Sequence, residues 1–190
     1  MTTALTITGA TRLYAIVGDP IAQVRSPEVF TERFAAAALD AVLVPAHVPA
    51  GPLRRDRPGA AWQLRNLDGL LVTVPFKARM LRFAQRSGPA ARSIGASTRC
   101  GAKRTEPGRG DMFDGAGFVR GVERKGQRLR GRRVALFGAG GAGSAIACAL
   151  AERRCRLDRR HRSDLPARRP PWRRSCSRRF PAVRRWLAER

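Results

Sequence analysis

The stretch Val134-Ala-Leu-Phe-Gly138-Ala139-Gly140-Gly141-Ala142-Gly143 limits the fold more than any other part of this 190-residue chain. A short apolar run ends on glycine and restarts, from Ser144 to Glu152, as an alanine-rich segment. That pattern predicts a buried strand at 133–137, a tight turn, and a helix over 140–152. Gly138 permits the turn, Gly140 lets backbone N–H groups come close to an anion, and Gly143 lets the helix pack on the strand. The helix N-terminus adds a partial positive charge.

Such a unit predicts that Gly138, Ala139, Gly140, Gly141, Ala142 and Gly143 cradle the pyrophosphate of a dinucleotide. Folds of this kind place a ribose-reading residue about 20 residues further on, at the end of a second strand. Residues 153–165 offer no apolar run to form that strand, so none is expected there.

Upstream, Leu13 to Gly18 reads as a buried strand stopped by Gly18-Asp19-Pro20. Ser26 before Pro27 reads as a helix N-cap, with the helix running from Glu28 to Leu39. Ala41 to Val48 is a second strand, Gly51 to Pro58 a polar loop with a short helix after it, and Leu70 to Val74 a third strand. Helices are expected over 76–85, 90–94 and 117–124. Strands alternating with helices predict an α/β fold with mainly parallel pairing. A basic, hinge-like stretch at 127–132 marks the expected domain boundary.

Three segments carry residues suited to chemistry. In Gly69-Leu-Leu71-Val-Thr73-Val-Pro75-Phe-Lys77, a lysine follows a buried strand at a helix N-terminus, where the dipole disfavours a cation and favours release of its proton. That suits a proton-transferring lysine better than it suits stability. In Gly110-Asp-Met-Phe-Asp114-Gly-Ala-Gly117-Phe118 an aspartate stands at the start of a helix. Gly18-Asp-Pro20-Ile-Ala-Gln-Val24-Arg-Ser26-Pro27 completes the set.

In this order and spacing, over roughly residues 12–152, the segments resemble the shikimate/quinate dehydrogenase family. Its patterns are G-x-P-x-x-x-S-x-S-P, G-x-N-V-T-x-P-x-K and G-x-N-T-D-x-x-G-F. The resemblance implies an oxidoreductase of aromatic amino acid biosynthesis (the chorismate pathway) that uses NADP or NAD. Its substrate would be shikimate or a quinate-like hydroxy acid, its location cytoplasmic, and a homodimer is compatible with it. Lys77 and Asp114 then match the catalytic pair that grips the reacting hydroxyl. Ser26 matches a carboxylate ligand, and Thr73, with Asp114, a hydroxyl ligand. Val24 and Leu71 replace a Ser and an Asn of the family pattern, which points to altered substrate handling.

Two segments depart further. After Gly95-Ala96 the family continues Val-Asn, whereas Ser97-Thr98 stand here. Read one base out of frame, the codons behind 97–106 permit the expected continuation, and those from Arg153 permit an apolar strand ending on an acidic residue. The expectation is a frame-damaged, truncated and inactive copy with a disordered tail. Domains are then expected at 1–126 (substrate binding and catalysis), 127–152 (the beginning of a Rossmann-type domain) and 153–190 (tail).

The net charge is +24, and residues 153–190 hold 15 Arg against Asp158, Asp164 and Glu189. Only Lys77, Lys103 and Lys125 are lysines, an arginine bias expected of a GC-rich coding sequence. Charge alone suggests an anionic partner, and Trp172 and Trp186 in the tail are candidate stacking groups for nucleic acid. The motifs favour the oxidoreductase over that reading and over a non-catalytic binding remnant. No run of about 18 apolar residues predicts a membrane span. The four cysteines fit no metal-binding spacing; Cys148, within the alanine-rich helix, reads as a packed thiol, and Cys100, Cys155 and Cys176 fall in the two departing segments.

Overall fold

A computed structural model of the chain describes residues 6–51, 64–101, 108–138 and 140–160. They divide into two compact units. One runs to Arg86 and includes Arg99–Gly110; the other comprises Ser87–Thr98 and the chain from Asp111.

In the first unit, β1 (Arg12–Gly18) pairs in parallel with β2 (Ala41–His47) on one side and β3 (Leu67–Val72) on the other. The apolar runs of all three suit a parallel sheet, whose strands are covered on both faces. Helix α1 (Ser26–Ala36) connects β1 to β2 and packs on β2. Tyr14 of β1 stacks on Phe34 of α1, ring centroids 5.1 Å apart. The sheet order is completed by three short strands, β4 (Arg86–Ser87), β5 (Arg99–Gly101) and β6 (Arg109–Asp111), as β2-β1-β3-β5-β6-β4. Ala15, Leu67, Leu70, Val72, Phe76, Met80 and Cys100 form the core beneath. Asp68, buried on β3, is paired with Arg12 and accepts a long hydrogen bond from the Tyr14 hydroxyl.

Helix α2 (Lys77–Met80) is one turn long and passes into a 3-10 turn over Leu81–Phe83, where the sequence predicts a helix over 76–85. Phe76 and Met80, four residues apart, bury one face of that turn; the residues beyond carry no comparable stripe. Helix α1 stops three residues before the expected Leu39, and Ala38 adopts a positive φ of 51°. The helix expected after the Gly51 loop lies outside the described residues.

In the second unit, α3 (Pro89–Ile94) and α4 (Asp114–Arg124) accompany β7 (Arg133–Phe137), α5 (Gly141–Glu152) and β8 (Arg156–Arg160). Val119, Leu129, Leu150 and Cys155 form its core. Because α4 packs along α5, the packing does not separate at 127–132, where composition alone marks a boundary.

Strand β8 overturns the expectation that the chain from Arg153 is unstructured. It pairs with β7 in parallel over all five residues, Arg133 opposite Arg156 through Phe137 opposite Arg160. A ladder is made by backbone groups, and Cys155 and Leu157 supply enough apolar surface to seat it. Residues 161–190 lie outside the described residues. Both departing segments contribute to the cores: Ser97 and Cys100 are fully buried and Cys155 nearly so. Cys100 and Cys155 are free, whereas Cys148 is disulfide-bonded and not the free thiol expected. Its apolar helix face reads the same in sequence whether hydrogen or a second sulfur caps the atom.

The closest helix approach is at Gly115, where a Cβ would run into the Ala145 backbone carbonyl. Gly115→Val is therefore expected to lower stability by about 1–3 kcal/mol through overpacking, measured by urea denaturation. At Gly117 a Cβ would meet nothing within 4 Å, so Gly117→Ala should leave stability unchanged or raise it by up to about 1 kcal/mol. A change at Gly115 no worse than that at Gly117 would show that close packing against Ala145 does not constrain Gly115.

Candidate functional site

Parallel strands deliver their following residues to one edge, and the first unit uses this at β1 and β3. Beyond β1 come Asp19 to Arg25 and then α1; beyond β3 come Thr73 to Phe76 and then α2. The Thr73 N–H donates to the Val17 carbonyl at 2.9 Å, and the Asp19 N–H to the Val74 carbonyl at 2.8 Å. A Cβ on Gly18 would collide with the Thr73 methyl, so only glycine lets the two segments approach this closely. The Asp19–Pro20 and Val74–Pro75 peptide bonds are both cis.

Ser26, Thr73 and Lys77 thus come from the same end of one sheet. Ser26 is half-buried and is the first helical residue; the N-cap is Arg25, with no side-chain capping bond. The predicted N-cap role of Ser26 is therefore incorrect, because Arg25 already has near-helical angles (φ −103°, ψ −4°) and the helix starts one residue later. Lys77 is half-buried and opens α2. A single turn carries little macrodipole, so the field argument for Lys77 is weaker than the sequence implies. Val24 and Leu71 are half-buried.

Side chains that the motifs did not mark tie this edge together. The Asp19 carboxylate meets the His47 ring nitrogen Nε2 at 2.9 Å and accepts the Ala50 N–H at 2.7 Å. Arg79 donates to the Gly51 carbonyl at 2.9 Å, with its guanidinium 5.5 Å from the centroid of the Phe76 ring. The segment 47–51 is thereby held to the end of β1 and to α2. A strand-end Asp and a His some 28 residues later leave no local sequence signal.

Asp114 and the glycine turn belong to the second unit. Asp114 is half-buried and opens α4, whose N-cap is Phe113. At Thr98, where the resemblance expects an Asn, the hydroxyl is occupied: it donates to the Asp111 carbonyl at 3.3 Å and accepts the Phe113 N–H at 3.0 Å. The Ser97 hydroxyl also donates to the Asp111 carbonyl, at 3.0 Å. The Asp111 carboxylate accepts the N–H groups of Ala91 (3.1 Å) and Met112 (2.8 Å), capping α3 from a distant part of the chain.

The glycine turn joins β7 to α5. Gly138 has φ +88°, Gly140 is the N-cap of α5, and a Cβ on Gly143 would strike the Gly138 carbonyl. Around Gly138 and Gly140 a Cβ would meet nothing within 4 Å, so the rim of the turn is open. Ser144, fully buried, donates to the Gly140 carbonyl at 2.6 Å and braces the loop. Gly141 and Ala142 begin α5; Ala139 lies outside the described residues. Among the described residues there is no cluster of His, Cys, Asp and Glu able to hold a metal ion, and no helix long and apolar enough to cross a membrane.

Known proteins resemble the chain along this same length. The family described as the shikimate dehydrogenase substrate binding domain matches residues 16–98. A shikimate dehydrogenase (NADP(+)) of Anaeromyxobacter dehalogenans is 37% identical over 146 residues, 77% of this chain and 51% of the relative. One of Rubrobacter xylanophilus is 35% identical over 146 residues, 76% and 50% of the two. The chain thus spans about half the length of the curated relatives it matches. Among solved structures, shikimate 5-dehydrogenase of Thermus thermophilus in complex with shikimate superposes with TM-score 0.70 at 26% identity, covering 80% of this chain and 57% of that one. The Aquifex aeolicus shikimate dehydrogenase shares the fold, with TM-score 0.76 at 22% identity over 93% of this chain and 63% of its own.

The hydrogen bonds to His47 and to the Ala50 N–H hold the Asp19 carboxyl below its ordinary value of 3.8. A lowered folded value stabilises the fold at pH above 3.8, and that stabilisation is lost as pH falls through the folded value. Asp19→Asn should therefore flatten the acid limb of the stability–pH curve measured by denaturant titration. A limb as steep as that of the parent chain would mean that the Asp19–His47 contact does not form in solution.

Proposed function

We propose that the chain descends from an NADP-linked dehydrogenase of shikimate or a related cyclic hydroxy acid such as quinate, and keeps the acid-binding half of that site; its likeness to the shikimate dehydrogenase substrate binding domain over residues 16–98 supports this reading. The observation that carries this reading is the convergence of Ser26, Thr73 and Lys77 on one edge of a parallel sheet, with Thr73 packed on Gly18. Residues 1–126 would supply substrate binding and catalysis, and residues from 127 the cofactor.

In the proposed chemistry the Ser26 hydroxyl donates to the substrate carboxylate and Thr73 holds a ring hydroxyl. Lys77 takes the proton of the reacting hydroxyl during oxidation and returns it during reduction. The resemblance assigns Asp114 to the same catalytic pair. A nicotinamide dinucleotide, when bound, supplies the hydride acceptor. Gly138, Ala139, Gly140, Gly141, Ala142 and Gly143 would hold its pyrophosphate.

Strand β8 provides the second strand on which a ribose reader is carried. Its last residues, Asp158, Arg159 and Arg160, stand in register with Ala135, Leu136 and Phe137, just before Gly138. Arginine at this position suits the 2′-phosphate of NADP, and an aspartate suits the bare ribose of NAD. The two arginines support NADP.

Val24 and Leu71 place apolar groups where the family pattern is polar, and the Thr98 hydroxyl is committed to the backbone. Turnover far below that of the longer relatives follows from this reading. The location would be cytoplasmic and the assembly a homodimer. If instead the chain is a non-catalytic binder, those same apolar positions account for it.

The test titrates shikimate and quinate into the chain by calorimetry and follows NADPH and NADH separately by fluorescence. One acid is expected to bind, with Ser26→Ala and Thr73→Val weakening it, and NADPH is expected to bind more tightly than NADH. Lys77→Ala should lower whatever turnover is measured by roughly 10²–10⁴-fold with little change in acid affinity. Equal losses of affinity and rate would make Lys77 a binding group. A folded chain that binds neither acid would overturn the substrate reading.

A further inference from the structure

The positive charge of the chain is not confined to its last residues. Residues 120–160 carry twelve Arg or Lys against Glu123, Glu152 and Asp158. In the second unit two turns carry a group of exposed arginines, one entering β7 and one between α5 and β8. The first contributes Arg128, Arg130 and Arg133, the second Arg154 and Arg156, and all five are exposed.

The turns are joined backbone to backbone. Gly131 N–H donates to the Arg154 carbonyl at 3.2 Å, and Arg156 N–H to the Arg132 carbonyl at 2.8 Å. In the ladder Arg133 stands opposite Arg156. Beneath them Leu129 and Cys155 are buried, and the Cys155 thiol donates to the Leu129 carbonyl at 3.0 Å. Gly131 and Arg154 take positive φ angles of 76° and 57°, which turn the chain sharply at both places. Arginine-rich composition accounts for how many arginines there are. It does not account for two turns fastened so that their arginines share one end of the sheet.

Nearby acid neutralises little of this. Glu123 is paired with Arg153 at 2.8 Å, which removes one carboxylate and leaves the other cations in place.

We propose that this end of the second unit binds the sugar-phosphate backbone of a duplex nucleic acid without reading its sequence. Exposed guanidinium groups bind phosphate oxygens through paired N–H donors, and a fixed group of them suits the regular phosphates of a duplex. An anionic membrane would call for apolar side chains inserted among the cations. Among the described residues of this unit the exposed large apolar ones are Phe113, Phe118 and Phe137, none of which is on these turns. Single-stranded nucleic acid would call for aromatic stacking platforms, and the two turns hold none.

The measurement is fluorescence anisotropy of a labelled random-sequence DNA duplex with the full 190-residue chain across a salt series. Replacing Arg128, Arg130 and Arg133 by Gln should reduce the slope of log K against log salt by about 0.9 for each phosphate no longer neutralised. Replacing Arg65, Arg82 and Arg86 by Gln removes the same charge from the first unit, where all three are exposed, and should reduce the slope less. Arg154→Gln combined with Arg156→Gln reaches the same surface from the other turn and should also reduce it, which keeps the test decisive if the triple variant misfolds. Equal reductions in the two triple variants would show that net charge alone drives binding and would overturn the proposal. So would binding to phosphatidylserine vesicles as tight as to the duplex, or tighter binding to a single strand.

Discussion

The pairing of β1 with β3 continues one residue past each strand, through Thr73 N–H to the Val17 carbonyl and Asp19 N–H to the Val74 carbonyl. Continuing it requires that nothing project from Gly18, because the Thr73 methyl occupies that space. From this crossing the chain leaves in two directions, one toward Ser26 and α1, the other toward Lys77 and α2. Phe76 and Met80 then anchor α2 in the core. The positions of Ser26, Thr73 and Lys77 therefore follow from one backbone register and one missing side chain. A shift of that register by one residue would exchange the faces of β3 and carry Thr73 away from Gly18.

Apolar runs make three strands legible: 12–18, 41–47 and 133–137 follow directly from Leu13 to Val17, Val42 to Val44 and Val134 to Phe137. The glycine turn and α5 are equally plain, since glycine spacing and an alanine-rich face are local signals. What stays hidden depends on partners distant in sequence. Asp111 caps α3 some 20 residues away, and Asp19 meets His47 across 28. Ser26 and Asp114 illustrate the limit of short motifs. Each has the composition of a helix start, yet Arg25 and Phe113 occupy the capping positions. A motif specifies residue types in order, and a shift of one residue in where the helix begins leaves that order unchanged.

Ser97 and Thr98 show how a segment that departs from its family pattern can still be structurally employed. Their hydroxyls both reach the Asp111 carbonyl, and that residue's carboxylate caps α3. Small hydroxyl side chains can satisfy a carbonyl that an apolar replacement would leave without a partner. The cost falls on chemistry rather than on folding. A hydroxyl engaged with main chain has less to offer any ligand.

Strand β8 is the corresponding case in the second unit. An arginine-rich sequence predicts no strand, because strands are recognised by their apolar alternation. Parallel pairing needs only backbone groups and a seat for every second side chain. Leu157 and the adjoining Cys155 provide that seat against Leu129, Val134 and Leu150, while Arg156 faces solvent. Exposed charge on a strand at the margin of a sheet also opposes pairing with a further chain. The residues that conceal β8 from pattern analysis are thus compatible with its place in the fold.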